Sequence, residues 1–129
     1  MRRFLRLAPA LTAMGFTLGA IEHAAGFGLA SLGIIASPPY YPPWRHLVMS
    51  GADLTIAAVA VWRPDALVFL LTAFLVEQVA TNGRFALGEW VRSGVVHKLI
   101  IVMLGLEAVA VWAAAMNRWW PPSASEGGS

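Results

Sequence analysis

The sequence predicts an all-α membrane protein with four transmembrane helices in an up-down bundle. Of its 129 residues, 58% are hydrophobic and only 12% are charged, a composition that soluble domains of this size do not have. The apolar residues fall into four stretches, each near the roughly 20 residues that cross a bilayer. We predict spans at residues 8–32, 46–62, 64–81 and 95–119, within a single domain 1–122 that is followed by a disordered tail, 123–129.

The composition also excludes several classes of function. The chain has no cysteine, which excludes disulfides, thiolate metal sites and thiol redox chemistry. Its net charge of +2 comes from scattered arginines, so no polybasic surface for nucleic acid is present. The arginines at residues 2, 3 and 6 ahead of an apolar run resemble a signal peptide. Because that run continues to Ile35, we expect a signal-anchor that is retained.

The first predicted helix carries an ionisable pair, Glu22–His23, at hydrocarbon depth. Such groups are costly inside a membrane, and they indicate a functional site by default. Gly15, Gly19 and His23 follow one another four residues apart. Small residues at this spacing allow a neighbouring helix to approach closely, so a packing seam is the alternative interpretation.

The segment Ser37–Arg45 is predicted to be an extended cap at the membrane interface, because its four prolines oppose a helix. A lid over a pocket is the alternative, because the segment joins the helices that carry His23 and His46. It contains Trp44, a candidate cofactor contact. The second helix then carries His46, Ser50 and Asp53 at i, i+4 and i+7, which lie on one helix face. A polar face of this kind is typical of the wall of a cleft.

The third helix is predicted to start at Pro64 after a tight turn and to form an antiparallel hairpin with the second. Its polar residues come at its end, where Glu77 and Gln78 precede Asn82–Gly83. We expect residues 83–94 to form a short interfacial anchor. The fourth helix starts near His97 and carries Glu107 in mid-span.

The charge distribution favours cytoplasmic termini under the positive-inside rule. With that topology, the polar residues form a funnel that opens to the non-cytoplasmic side. His46, Gln78, Asn82 and His97 lie at its mouth, Asp53 lies deeper, and Glu22, His23 and Glu107 lie near mid-depth.

This funnel predicts a site for a metal, a haem or a quinone, because histidine and carboxylate together suit transition metals. No two histidines have the HxxxH or HxxH spacing, so ligands must come from different helices. The candidate residues form three groups. They are His23, His46 and His97 as metal ligands, Glu22, Asp53 and Glu77 as catalytic carboxylates, and Trp44, Gln78 and Asn82 as cofactor contacts. A neutral carboxyl that only donates a structural hydrogen bond is the alternative for each acid. For each histidine alone, a hydrogen-bonded structural role is favoured over ligation.

Three other functions remain open. Glu22 midway along the first helix resembles the proton-exchanging glutamate of small multidrug-resistance transporters, which would imply proton-coupled transport by a dimer. A buried acid could instead catalyse isomerisation or cyclisation of a lipid-like substrate. The protein could also be an accessory subunit, whose polar residues only hold helices together or join a larger membrane complex.

The stretches LGAIEHAAGFG and HLVMSGADLTIAAVAVWRPDALVFLL resemble the DoxX-like proteins, small four-helix bacterial membrane proteins. Asp53 stands where that family usually has Glu, and His23 stands near a position that is often Lys. Some members are tied to quinone-linked sulfur oxidation or redox stress, although most have no assigned activity. The resemblance implies a redox-associated protein of the bacterial inner membrane, and the excess of Arg and Ala agrees with a high-GC bacterium.

Overall fold

The protein is all-helical in the residues that the computed structural model describes, which are 2–37, 41–83 and 95–119. These residues form four α-helices and no strand. A π-helical turn, Val79–Gly83, continues the third helix. The α-helices are α1 (Arg2–Ser31), α2 (Pro43–Trp62), α3 (Leu67–Gln78) and α4 (Val95–Trp119).

The helix limits differ from the predicted spans in three places. Helix α1 begins at Arg2, because the arginine-rich start continues the helix and Pro9 is accommodated within it. Helix α2 begins at Pro43 inside the predicted cap, since proline is well suited to a first helical position. Helix α3 begins only at Leu67, because residues 64–66 form a turn. The predicted interfacial anchor and disordered tail lie outside the described residues.

The chain divides into two compact units, Pro9–Arg63 and the remainder, Met1–Ala8 with Pro64–Ser129. The single domain stays a prediction. In the unit Pro9–Arg63, α1 packs antiparallel against α2. Gly19 of α1 lies against Asp53 of α2, whereas Gly26 lies against His46.

Helix α1 ends in a glycine motif that reverses the chain toward α2. Gly33 has a φ of 70°, a left-handed conformation that glycine adopts without steric cost. The amide of Ile34 donates to the carbonyl of Leu29 over 2.9 Å, which closes the six-residue ring of a Schellman cap. The turn therefore follows from the sequence around Gly33.

The other unit is built around α3, the π-helical turn and α4. Leu67 and Leu71 of α3 are fully buried, and Ala8 and Ala113 form a small buried cluster with Met116 packed against it. Within this unit, Arg118 of α4 contacts residues at the start of α3. Its guanidinium donates to the Asp65 carbonyl over 2.6 Å and lies 4.8 Å from the centre of the Phe69 ring.

Large apolar side chains cover the outside of these helices. Leu18 is 65% exposed and Met14 is 63% exposed on α1, whereas Asp53 on α2 is only 3% exposed. Thr17 and Thr55, on exposed faces, donate their hydroxyls to the carbonyls four residues earlier. In the described part of the chain, one segment, Ile101–Trp119, is long and apolar enough to cross a membrane. The prediction of an all-α fold with four helices is confirmed. The four membrane spans remain a proposal.

Arg118→Ala is expected to lower the stability of its unit by about 0.5–1 kcal/mol, because it removes a cation–π contact and a partly exposed hydrogen bond. Lys98→Ala is the control, since Lys98 is an exposed cation near the other end of α4. Thermal unfolding in one detergent measures both variants. Equal midpoints for the two variants would show that the Arg118 contacts contribute nothing.

Candidate functional site

The site forms where two short stretches of α1 and α2 face each other. On α1, Gly19, His23 and Gly26 follow at i, i+4 and i+7, which places them on one face. On α2, Asp53 and His46 share a face by the same spacing. A Cβ at Gly19 would lie 2.8 Å from Asp53 Oδ2, and one at Gly26 would lie 2.9 Å from His46 Nδ1. The two glycines thus leave the space that the polar side chains of α2 occupy.

Three of the predicted site residues meet in this space, and we call them the Asp53–His23–His46 cluster. The Nδ1 atoms of His23 and His46 are 3.3 Å apart. The opposite nitrogen of the His23 ring, Nε2, lies 3.8 Å from Asp53 Oδ2. The His23 ring therefore lies between a buried carboxylate and a second imidazole.

This order restricts where the protons of the two rings reside. When Asp53 is ionised, a neutral His23 directs its Nε2–H at the carboxylate, because a lone pair there would be repelled. The Nδ1 atom of His23 then presents a lone pair to Nδ1 of His46. His46 with its proton on Nδ1 then donates a hydrogen bond to that lone pair.

Neighbouring residues hold the cluster in position. Ser50, one turn before Asp53, donates its hydroxyl to the Ala20 carbonyl over 2.9 Å and ties the two helices together. The Tyr41 ring packs edge-on against His46, with 4.7 Å between ring centres. The Arg45 guanidinium lies 5.4 Å from the centre of the Tyr41 ring. Tyr41 and Arg45 thus border the His46 end of the cluster.

Two other predicted residues of this unit lie outside the cluster. Glu22 is exposed on α1, because it is turned about 100° away from His23 on the helix. Trp44 is 60% exposed at the start of α2. Their predicted roles as a catalytic acid and a cofactor contact remain predictions.

A second polar group lies in the other unit, at the end of α3. Both carboxylate oxygens of Glu77 accept hydrogen bonds, one from the Gln78 amide at 3.0 Å and one from the Thr81 hydroxyl at 2.9 Å. Gln78 is buried, and Thr81 lies in the π-helical turn. Asn82 belongs to the same turn and His97 to α4, but their side chains lie outside the described residues.

The described residues contain no group of three His, Asp or Glu side chains that could together hold a metal ion. The sequence analysis missed the contribution of Tyr41. It interpreted Gly19 only as part of a packing seam, although its spacing from His23 could have placed it opposite a side chain of α2.

Comparisons with known proteins add no relative. No protein-family model, curated protein or solved structure matches this chain. The DoxX-like resemblance stays a prediction.

Gly19→Ala and Gly26→Ala are each expected to destabilise the α1–α2 pair by about 1–3 kcal/mol, because the added methyl group overpacks a filled contact. Gly15→Ala and Gly28→Ala are matched controls on the same helix, since a Cβ at either position meets no atom within 4 Å. Alanine favours a helix over glycine, so the controls are expected to be neutral or slightly stabilising.

Thermal unfolding of the four glycine variants in one detergent measures this difference. If all four variants unfold at the same midpoint, the close contacts of Asp53 and His46 with α1 do not limit the helix packing.

Proposed function

We propose that the protein is a small, redox-associated integral membrane protein of the bacterial inner membrane that binds a cofactor at the Asp53–His23–His46 cluster. The cofactor is a metal ion, a haem or a quinone. Four membrane spans and cytoplasmic termini belong to the same proposal. The observation that carries it is the contact between the His23 and His46 rings, with Asp53 on the far side of His23.

The membrane part of the proposal is supported by an inverted distribution of polarity in the Pro9–Arg63 unit. A buried carboxylate, a buried hydroxyl and the two histidines are directed inward, while Leu11, Leu18 and Ile21 are directed outward. In water, this arrangement would expose apolar surface and bury polar groups, both of which are unfavourable. In a bilayer, the same arrangement places apolar side chains in hydrocarbon. The internally bonded hydroxyls of Thr17 and Thr55 also suit a solvent that offers no partner.

The cofactor part is supported by the chemistry of the cluster. Imidazole nitrogens bind iron, copper and zinc, and an N–H donor there also suits a quinone carbonyl. Asp53 Oδ2 faces Nε2 of His23, so that Nδ1 lies on the side of His46. An electron that reaches a bound cofactor attracts a proton, and the cluster has two imidazoles and a carboxylate that can supply or accept one. His97 and Glu77 lie in the other unit, and their roles as a metal ligand and a catalytic acid stay predictions.

The test is to purify the full-length protein in detergent without chelator and to measure its metal content, visible spectrum and extractable quinone. The wild type is expected to carry one cofactor in stoichiometric amount, and His23→Ala and His46→Ala are expected to lose it. Asp65→Asn is the control, because Asp65 is exposed in the turn before α3.

A colourless wild type that contains neither metal nor quinone would overturn the cofactor proposal. Equal cofactor content in Asp65→Asn and in the two histidine variants would overturn the assignment to the cluster. Size-exclusion profiles of the variants separate cofactor loss from unfolding.

Proton-coupled transport is a second candidate, and it is favoured by the position of Glu22. This acid is exposed on α1 beside Ile21, so that in a bilayer it would face hydrocarbon or a second copy of the chain. An acid at this position could bind a proton and a cationic substrate in alternation. Glu22→Gln would then abolish substrate-driven proton flux into vesicles, whereas Asp65→Asn would retain it. Undiminished flux in Glu22→Gln would exclude this candidate.

A further inference from the structure

We propose that the Nδ1 atoms of His23 and His46 bind a single transition-metal ion in tetrahedral geometry, with Asp53 as the residue that orients His23. This inference rests on the proposed cofactor site and selects one of its three possible occupants. It also specifies the donor atoms, the coordination geometry and the positions left for other ligands.

The distance between the two nitrogens supports a tetrahedral ion. Two nitrogens bound to one tetrahedral metal at about 2.0–2.1 Å lie about 3.3–3.4 Å apart. The observed separation of the two Nδ1 atoms is 3.3 Å. Adjacent donors of a square-planar ion would lie only about 2.8–3.0 Å apart. The same separation also accommodates an N–H···N hydrogen bond between the two rings when no ion is bound.

The position of Asp53 supports ligation by Nδ1 of His23 in particular. Histidines that bind metals commonly donate their other ring N–H to a carboxylate, which fixes the ring and increases its basicity. Asp53 Oδ2 faces Nε2 of His23, the nitrogen opposite the one that approaches His46. Asp53 is 3% exposed, and its ionised carboxylate would offset part of the charge of a bound cation.

The two helices provide a rigid support for this geometry. Gly19 and Gly26 allow α2 to approach so closely that Asp53 and His46 contact the α1 backbone region on either side of His23. The hydrogen bond from Ser50 to Ala20 fixes the helices at the level between them. A metal site needs ligands held by their surroundings, and both rings here are positioned by helix packing rather than by a loop.

The donor set also limits the class of metal. Two imidazole nitrogens suit zinc, copper, iron or cobalt, whereas magnesium and calcium require oxygen ligands. Two tetrahedral positions remain, and water or a small anionic ligand would fill them, as in sites where a metal keeps open positions for reaction. Arg45, beside Tyr41 at the His46 end, adds positive charge and favours an anion there.

The closing experiment titrates the full-length, detergent-purified protein, stripped by chelator and desalted, with Co²⁺ and then with competing Zn²⁺. Tetrahedral Co²⁺ absorbs visible light much more strongly than octahedral Co²⁺, so the spectrum reports the geometry and the titration reports the stoichiometry. We expect one ion per chain with a tetrahedral spectrum that Zn²⁺ abolishes.

Variants locate the ion. His23→Ala and His46→Ala are expected to abolish the tetrahedral spectrum. Asp53→Asn is expected to retain it but to weaken binding by about 10–100-fold, as loss of a carboxylate partner does in other metal sites. Asp65→Asn, the matched carboxylate-to-amide control, should bind as the wild type does. Gly26→Ala should weaken binding relative to Gly28→Ala, because only the former contacts the His46 ring.

Absence of Co²⁺ binding, or an octahedral spectrum that the histidine variants do not change, would overturn the inference. Equal Co²⁺ binding by Asp53→Asn and the wild type would overturn the orienting role of Asp53. The wild type could bind no metal but retain a haem or quinone that His23→Ala loses. This result would overturn the metal inference and leave the proposed function intact. The two failures are therefore distinguishable.

Discussion

The close approach of α1 and α2 is the constraint on which the candidate site depends. Gly19 and Gly26 have no side chain, and the space that they leave is occupied by Asp53 and His46. The His23 ring lies between them on α1 and meets both. A larger residue at either glycine would separate the helices and would lengthen the contacts that give the cluster its order. The glycines therefore determine the chemistry of the site although they carry no functional group.

Polarity then determines what this helix pair requires from its surroundings. Within the pair, the His23 ring contacts both His46 and Asp53, and the Ser50 hydroxyl donates to the Ala20 carbonyl. In a medium of low dielectric constant these interactions gain strength, because water does not compete for them. The same medium makes an unbalanced charge costly.

The sequence predicted much of the fold because its signals were local. Length and hydropathy gave four helices, and the i, i+4, i+7 spacing of His46, Ser50 and Asp53 correctly indicated one face of α2. The helix starts at Pro43 and Leu67 were less predictable, because proline both ends one helix and opens another. The sequence alone does not show which histidine contacts which acid. This pairing depends on the register of α1 against α2, which the glycine contacts set.

A proton and a metal ion compete for the space between the His23 and His46 rings. Without a metal, a ring N–H of one histidine donates to the lone pair of the other. Because metal binding requires deprotonated ligand nitrogens, an ion that enters must displace that proton. The proton then moves to the opposite nitrogen of its ring or leaves the cluster. The proposed cofactor site therefore depends on this pair of rings, whereas the transport hypothesis depends on Glu22, which lies outside the cluster.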